Sequence, residues 1–466
     1  MTLLKALGAV AALCLVGAVG FGAAVWRSSI DPITPPETGS FDAALVKRGA
    51  ELAAIGNCNV CHTAAGGRVY AGGAGLPTPF GTIYSTNITP DAETGIGRWS
   101  EAAFRRAMRK GVDRQGRHLY PAFPYDHFTL VSDDDDKALY AFLMTREPVR
   151  AKAPANDLSF PLNFRPVIAA WKLLYFRPGP YRPDPAQSEA WNRGAYLVEG
   201  LAHCGACHTP RNAFGAEKKR ERFTGGEAEG WTAYALNGSS PAPVPWDGAA
   251  LHHYLRHGWQ DMHGIARGPM APVIDNLASI PEADLGAITD YMTRIMGVPD
   301  SERRRAAEML IERVRGHGPG SRPASAEMQT VGGGGNTQDF GALVYQAACA
   351  RCHDGGRPLP FGGINLALST GPSGPNARNV INVVLWGLPP AGGERSPIMP
   401  GFAGVLTDPQ LVALLAYVRA QFSDKPPWAD IAKDIGDARS GKRPVMVHPS
   451  HGTDPAHAVV SQRETP

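Results

Sequence analysis

Three short stretches carry the residues best suited to chemistry: Cys58-Asn59-Val60-Cys61-His62, Cys204-Gly205-Ala206-Cys207-His208 and Cys349-Ala350-Arg351-Cys352-His353. Each reads C-x-x-C-H, the pattern of covalent c-type haem attachment. Two thiols one helical turn apart can form thioethers with the two vinyl groups of one porphyrin, and the adjacent imidazole then faces the iron as proximal ligand. Three stretches imply three covalently bound haem c groups. Cys58, Cys61, Cys204, Cys207, Cys349 and Cys352 are then the attachment points, and His62, His208 and His353 the proximal ligands. A zinc knuckle would need two more Cys or His ligands near each pair. A thioredoxin-like redox pair or a structural disulfide gives no reason for histidine to follow the second cysteine all three times.

A haem used for electron transfer usually carries a second axial ligand, often a methionine that raises its potential. Met270, in Gly268-Pro269-Met270-Ala271-Pro272, and Met399, in Pro397-Ile398-Met399-Pro400-Gly401, each follow a motif in a loop rich in Pro and Gly. Such loops are poor material for a core helix, so both methionines are assigned as distal ligands. The first repeat breaks the pattern: counted from Gly111 and Gly258, Phe123 stands where the second repeat has Met270, and phenylalanine cannot bind iron. His127 is the candidate distal ligand there, with His118, Met108 and Met144 behind it and a five-coordinate or water-ligated iron as the alternative. Lacking a thioether, the first haem is expected to have the lowest potential. His252, His253, His257 and His263 read as helix and surface positions. No Ser-His-Asp order, phosphate loop or paired carboxylate demands another catalytic reading, so no protein side chain is assigned a catalytic role.

These groups need carriers. The chain of 466 residues is too long for one core, and its motif histidines recur about 145 residues apart, the mark of a repeated unit. With 43% hydrophobic residues each unit can form a packed core. A net charge of +3 gives no electrostatic case for nucleic acid. The 54 Gly and 41 Pro lie between helical patterns, which fits small helical domains wrapped by long loops around a porphyrin.

In chain order, residues 1–30 hold an apolar run from Ala6 to Trp26, just long enough to span a bilayer and closed by Arg27. It reads as a retained N-terminal anchor, with a cleaved signal peptide as the alternative. Cys14, the one cysteine outside the motifs, reads as an apolar residue of that helix. The first haem domain covers 38–150. Its helices include one opened by Ser100 and a closing one capped by Ser132 and Asp133 to Asp136, acids better suited to a helix N-terminus than to calcium. Residues 151–184 form an aromatic, Pro-rich strap. The second domain covers 185–297, with helices over Ala249 to His257 and Glu282 to Met296. A charged helix and flexible linker, 298–338, is expected to let the third domain, 339–422, move. Residues 423–466 read as a poorly ordered polar tail.

The stretch Arg193-Gly194-Ala195-Tyr196-Leu197-Val198-Glu199, leading to His203-Cys204-Gly205-Ala206-Cys207-His208-Thr209-Pro210-Arg211-Asn212, resembles the second haem domain of three-haem cytochrome c subunits of membrane-bound dehydrogenases. Thr86-Asn87-Ile88-Thr89-Pro90-Asp91 and the Met399 loop are similar to their counterparts in that family. The resemblance implies a mostly α fold, three tandem cytochrome c-like helical domains behind an N-terminal hydrophobic helix, on the periplasmic side of the bacterial inner membrane. It implies a non-catalytic subunit that takes electrons from a catalytic dehydrogenase subunit and delivers them to ubiquinone, a terminal oxidase or another cytochrome. The stretches Tyr120-Pro121-Ala122-Phe123-Pro124-Tyr125-Asp126-His127-Phe128-Thr129 and Ser240-Pro241-Ala242-Pro243-Val244-Pro245-Trp246 look more like cytochromes paired with molybdenum hydroxylases than like those of quinoprotein or flavin alcohol and sugar dehydrogenases. The competing class is an enzyme with an open first haem, a peroxidase or small-anion oxidoreductase.

Overall fold

Asp42 opens the first helix by accepting a hydrogen bond from the Leu45 N–H, 2.9 Å. In the computed structural model, which describes residues 17, 20–22, 25–316, 337–355, 357, 359–388 and 397–441, helices dominate. They fall into two compact units: Met1–Pro183 with Glu199–His203, and Asp184–Val198 with Cys204–Pro466.

In the first unit α1 (Ala43–Ile55) leads into the one-turn α2 (Cys58–Cys61). The hairpin β1 (Gly75–Thr78) and β2 (Gly81–Tyr84) follows, then α3 (Glu101–Lys110), α4 (Tyr125–Phe128) and the closing α5 (Asp133–Met144). Ser100 and Ser132 cap α3 and α5 as expected. α1 lies directly on α5, because Gly49 has no side chain: a Cβ there would strike the Ala138 carbonyl. Three of the four acids pair locally. Asp135 faces Arg48 at 3.5 Å, while Asp133 and Asp136 hold Arg109 at 2.7 and 2.6 Å. The strap then supplies β3 (Asp157–Leu158), which pairs antiparallel with β2, and α6 (Pro166–Tyr175). Leu158 and Ile168 pack with Tyr120.

Residues 1–16, 18, 19, 23 and 24 lie outside the described residues, and with them most of the expected N-terminal helix and Cys14. Among the described residues no helix is long and apolar enough to cross a membrane. The end of the apolar run and the segment after it bond within the first unit: His118 Nε2 donates to the Val25 carbonyl (2.8 Å), Arg106 to that of Ser28 (2.7 Å), and Ile30 N–H to that of Arg114 (2.8 Å).

The second unit repeats the helix crossing twice. α7 (Glu189–Tyr196) precedes α8 (Gly205–His208), the hairpin β4 (Gly226–Ala228) and β5 (Trp231–Ala233), and α9 (Gly248–His257). A small hairpin, β6 (Trp259–Gln260) and β7 (Gly264–Ile265), leads to α10 (Met270–Leu277), the closing α11 (Glu282–Met296) and α12 (Ser301–Gly316). Gly194 of α7 meets the Ala287 carbonyl of α11 as Gly49 meets Ala138, and Arg193 grips Asp284 at 2.7 and 3.0 Å. Further on come α13 (Thr337–Ala348), α14 (Ala350–His353), α15 (Thr370–Ser373), α16 (Arg378–Trp386), α17 (Asp408–Phe422) and α18 (Ile431–Arg439). There Gly341 of α13 meets the Ala413 carbonyl of α17.

Two expectations are corrected here. The third motif region is docked on the second, not left free by its linker. Asn379 pairs with both backbone groups of Thr232 (2.8 and 2.9 Å), Asn382 donates to the Gly230 carbonyl (3.2 Å), and Arg378 meets Glu227 at 2.5 Å. The charged helix α12 has an apolar face, and its Ala307, Leu310, Ile311 and Val314 pack with Val244, Met262 and Leu368. Residues 317–336, the linker proper, lie outside the described residues. The tail likewise contains ordered structure through residue 441. Trp428 and Ile435 are buried, Trp428 Nε1 donates to the Gly374 carbonyl (2.9 Å), and Asp434 faces Arg378 at 3.4 Å. Two well-placed apolar residues anchor a segment whose average composition is polar. Residues 442–466 lie outside the described residues.

Candidate haem sites

Each motif folds as one helical turn at the end of the helix that precedes it. The histidine N–H donates to the carbonyl of the first cysteine at 3.0 Å for His62, 3.1 Å for His208 and 3.1 Å for His353. One turn brings the cysteines to the same side. None of the six is joined in a disulfide. Burial pushes Cys58 up to about 12, and Cys207 and Cys349 to about 11, the opposite of the lowered thiol of a redox pair.

The three imidazoles share one arrangement. His62 Nδ1 lies 2.6 Å from the Thr86 carbonyl, His208 Nδ1 2.7 Å from that of Tyr234, and His353 Nδ1 2.8 Å from that of Ile364. A carbonyl can only accept, so Nδ1 carries the hydrogen and Nε2 keeps its lone pair for a metal. Burial lowers the pKa of all three, outweighing the carbonyl that favours the charged form, so each is neutral and ready to ligate. Sequence reasoning misses these carbonyls, because a backbone acceptor has no residue signature. The one legible sign is Thr86-Asn87: Asn87 is the clamp that holds its neighbour's carbonyl. Its amide donates to Val149 O (2.7 Å) and Thr94 Oγ1 (3.0 Å), and its Oδ1 accepts from Thr89 N (2.9 Å) and Oγ1 (2.8 Å).

The residues fit a haem at the second motif. β5 begins at Trp231, and Tyr234, whose carbonyl meets His208 Nδ1, follows directly on its end. Gly268, at φ +60°, lets the chain turn against the Trp231 ring just before half-buried Met270. Trp231 Nε1 is buried with no hydrogen-bond partner among the described residues, a donor awaiting an acceptor such as a propionate. At the third motif a cavity of about 1070 Å³ opens beside His353, lined by Tyr345, Ile364, Leu368, Tyr417 and Phe422 among others, a volume suited to a large cofactor. Met399 exchanges both backbone hydrogen bonds with Leu388 (2.9 and 3.0 Å) and packs against the core cluster that also receives Cys349.

The first motif differs. Phe123 packs edge-on against Phe128 with centroids 5.3 Å apart. His127 is buried on α4, and its Nδ1 donates to the Glu199 carbonyl at 2.7 Å. His118 is engaged elsewhere: its Nε2 bonds Val25 and its Nδ1 lies 3.2 Å from Lys172 Nζ. Met108 and Met144 are core residues, 5% and 1% exposed. Of the remaining histidines, His263 is buried, contrary to the surface position expected of it.

A cytochrome c family model matches residues 46–147, and the model of cytochrome c oxidase, cbb3-type, subunit III matches 336–418. A nicotinate dehydrogenase subunit of Pseudomonas putida is 45% identical over 419 residues, 89% of this chain but 33% of the relative, so this chain spans about a third of that protein's length. Gluconate 2-dehydrogenase cytochrome c subunit of Pantoea cypripedii is 36% identical over 418 residues, covering 85% of this chain and 90% of the relative. Fructose dehydrogenase cytochrome subunit of Gluconobacter japonicus is 33% identical over 431 residues, 88% and 86% of the two chains.

Proposed function

Because the chain belongs to the family of cytochrome c subunits of dehydrogenases, which carry electrons on covalently bound haem c, we propose that it is a three-haem electron conduit for a molybdenum hydroxylase-type dehydrogenase. It receives electrons from a catalytic partner subunit and passes them to ubiquinone or a terminal oxidase on the periplasmic face of the inner membrane, held there by its N-terminal apolar run. Bound haem c supplies a one-electron carrier whose potential its axial ligands set. The observation that carries the reading is the threefold recurrence of one arrangement, a C-x-x-C-H turn with its imidazole Nδ1 held by a backbone carbonyl. The 45% identity to the nicotinate dehydrogenase subunit supports the molybdenum branch.

In this reading Cys58 and Cys61, Cys204 and Cys207, and Cys349 and Cys352 bind the three porphyrins. Met270 and Met399 are sixth ligands of the second and third haems and His127 of the first. His127 is supported by its Nδ1 contact to a carbonyl, which orients the ring as in the proximal histidines. Purification of the native complex through a tag on this chain tests the assignment. Three haems per chain and a molybdenum cofactor on the co-purifying subunit are expected; pyrroloquinoline quinone or flavin there would overturn the molybdenum branch. Carbon monoxide binding at one per three haems in the reduced protein would overturn His127 ligation and favour an open, reactive first haem, for which the Phe123–Phe128 pair would be the apolar wall.

A further inference from the structure

His263 lies beside β7 in the β6–β7 hairpin, 3% exposed, its ring stacked on Trp246 at 3.6 Å and 11°. Neither ring nitrogen has a hydrogen-bond partner among the described residues. Burial, against the opposing pull of Asp247, lowers its pKa to about 4. The ring is therefore neutral at neutral pH, with one N–H donor and one acceptor nitrogen. Interiors rarely leave such groups unmet.

A second, independent observation comes from the chain it touches. The His263 carbonyl accepts from the Thr370 N–H at 3.0 Å, and the Thr370 hydroxyl is itself buried without a partner among the described residues. His263 is on the stretch that runs on to Met270. Thr370 is on the stretch that follows Ile364, the carbonyl that fixes His353. One backbone hydrogen bond thus ties together two residues with unpartnered buried side chains, one on the stretch leading to Met270 and the other on the stretch following Ile364.

We propose that His263 and Thr370 form a carboxylate clamp for a haem propionate at the seam between the second and third haem sites, the imidazole N–H and the hydroxyl donating to its oxygens. The clamp rests on the three-haem reading above. A propionate is the polar edge of an otherwise apolar porphyrin and needs donors wherever it is buried. Both residues are positioning residues. Donation to the carboxylate disperses its negative charge, which favours the reduced iron and raises that haem's potential, and it fixes the porphyrin edge toward its neighbour.

The test uses the full chain with its haems attached. His263→Phe keeps the stack on Trp246 and removes both nitrogens, and Thr370→Val removes only the hydroxyl. Haem content is read from the pyridine haemochrome and the midpoints from stepwise redox titration. Expected are three haems in wild type and variants, one midpoint lowered in both variants with the other two unmoved, and recovery of that midpoint in His263→Gln, which restores a donor. Three haems with unmoved midpoints in both variants overturn the clamp alone. Fewer than three haems in the wild type overturns the conduit reading and the clamp together. Should His263→Phe fail to assemble, Thr370→Val decides: an unmoved midpoint there overturns the clamp.

Discussion

Asn87 adjoins Thr86, whose carbonyl holds His62 Nδ1, so on the proposed reading Asn87→Ala should perturb both stability and the first haem. The side chain is 3% exposed and makes four hydrogen bonds of 2.7 to 3.0 Å, to Val149 O, Thr94 Oγ1, Thr89 N and Thr89 Oγ1. At about 1 kcal/mol net for each, and with buried partners left unsatisfied, the loss should be roughly 3–5 kcal/mol. For a unit of this size that lowers the unfolding temperature by roughly 10 °C. The functional effect is separate. Thr86, freed from its clamp, holds His62 Nδ1 less firmly; on the proposed three-haem reading, in which the first haem is expected to have the lowest potential, the imidazole becomes a weaker donor to iron and that midpoint should rise. Thermal melts and stepwise redox titration of the same preparation read both effects. A lowered melting temperature with an unchanged lowest midpoint would refute the idea that Asn87 acts on the iron through Thr86; an unchanged melting temperature would refute the hydrogen-bond accounting.

Replacing Met399 or Met270 by Ala should each lower one midpoint while leaving three haems attached, because the thioether is what raises the potential; an unmoved titration curve would remove that methionine from the ligand set. Gly194→Val places a side chain against the Ala287 carbonyl and should cost at least about 1–3 kcal/mol through forced separation of α7 and α11, read as a lowered melting temperature. Lys172, buried with its Nζ on the Lys110 (2.7 Å) and Gly111 (2.5 Å) carbonyls, is pushed down to about 7 by burial and then by Arg27. Between that value and the ordinary lysine range the unfolded chain holds a proton the folded one lacks, so this residue makes stability rise with pH by up to about 1.4 kcal/mol per unit. Lys172→Met should remove that rise, and parallel melting curves for wild type and variant from pH 7 to 10 would refute it.

The haem c chemistry was legible because covalent attachment demands particular atoms at a fixed spacing, and the relatives are cytochrome c subunits; that Cys58, Cys61 and His62 and their two repeats carry it belongs to the proposed three-haem reading. Helices α3 and α5 were equally legible, since Ser100 and Ser132 are local caps and the apolar period follows them in the chain. What the chain order hides is which distant groups meet. The carbonyls of Tyr234 and Ile364 that select the imidazole tautomer have no side-chain signature, and only Asn87 beside Thr86 marks the third. The burial of His263 depends on Trp246 and on Thr370, far along the chain. The docking of the third motif region arises from Asn379, Asn382 and Arg378, which read locally as ordinary helix residues and become an interface only against Thr232, Gly230 and Glu227. Spacing within one turn is a covalent property and survives in the sequence; the partner of a buried polar group is set by where the backbone returns, and only the tertiary structure decided that.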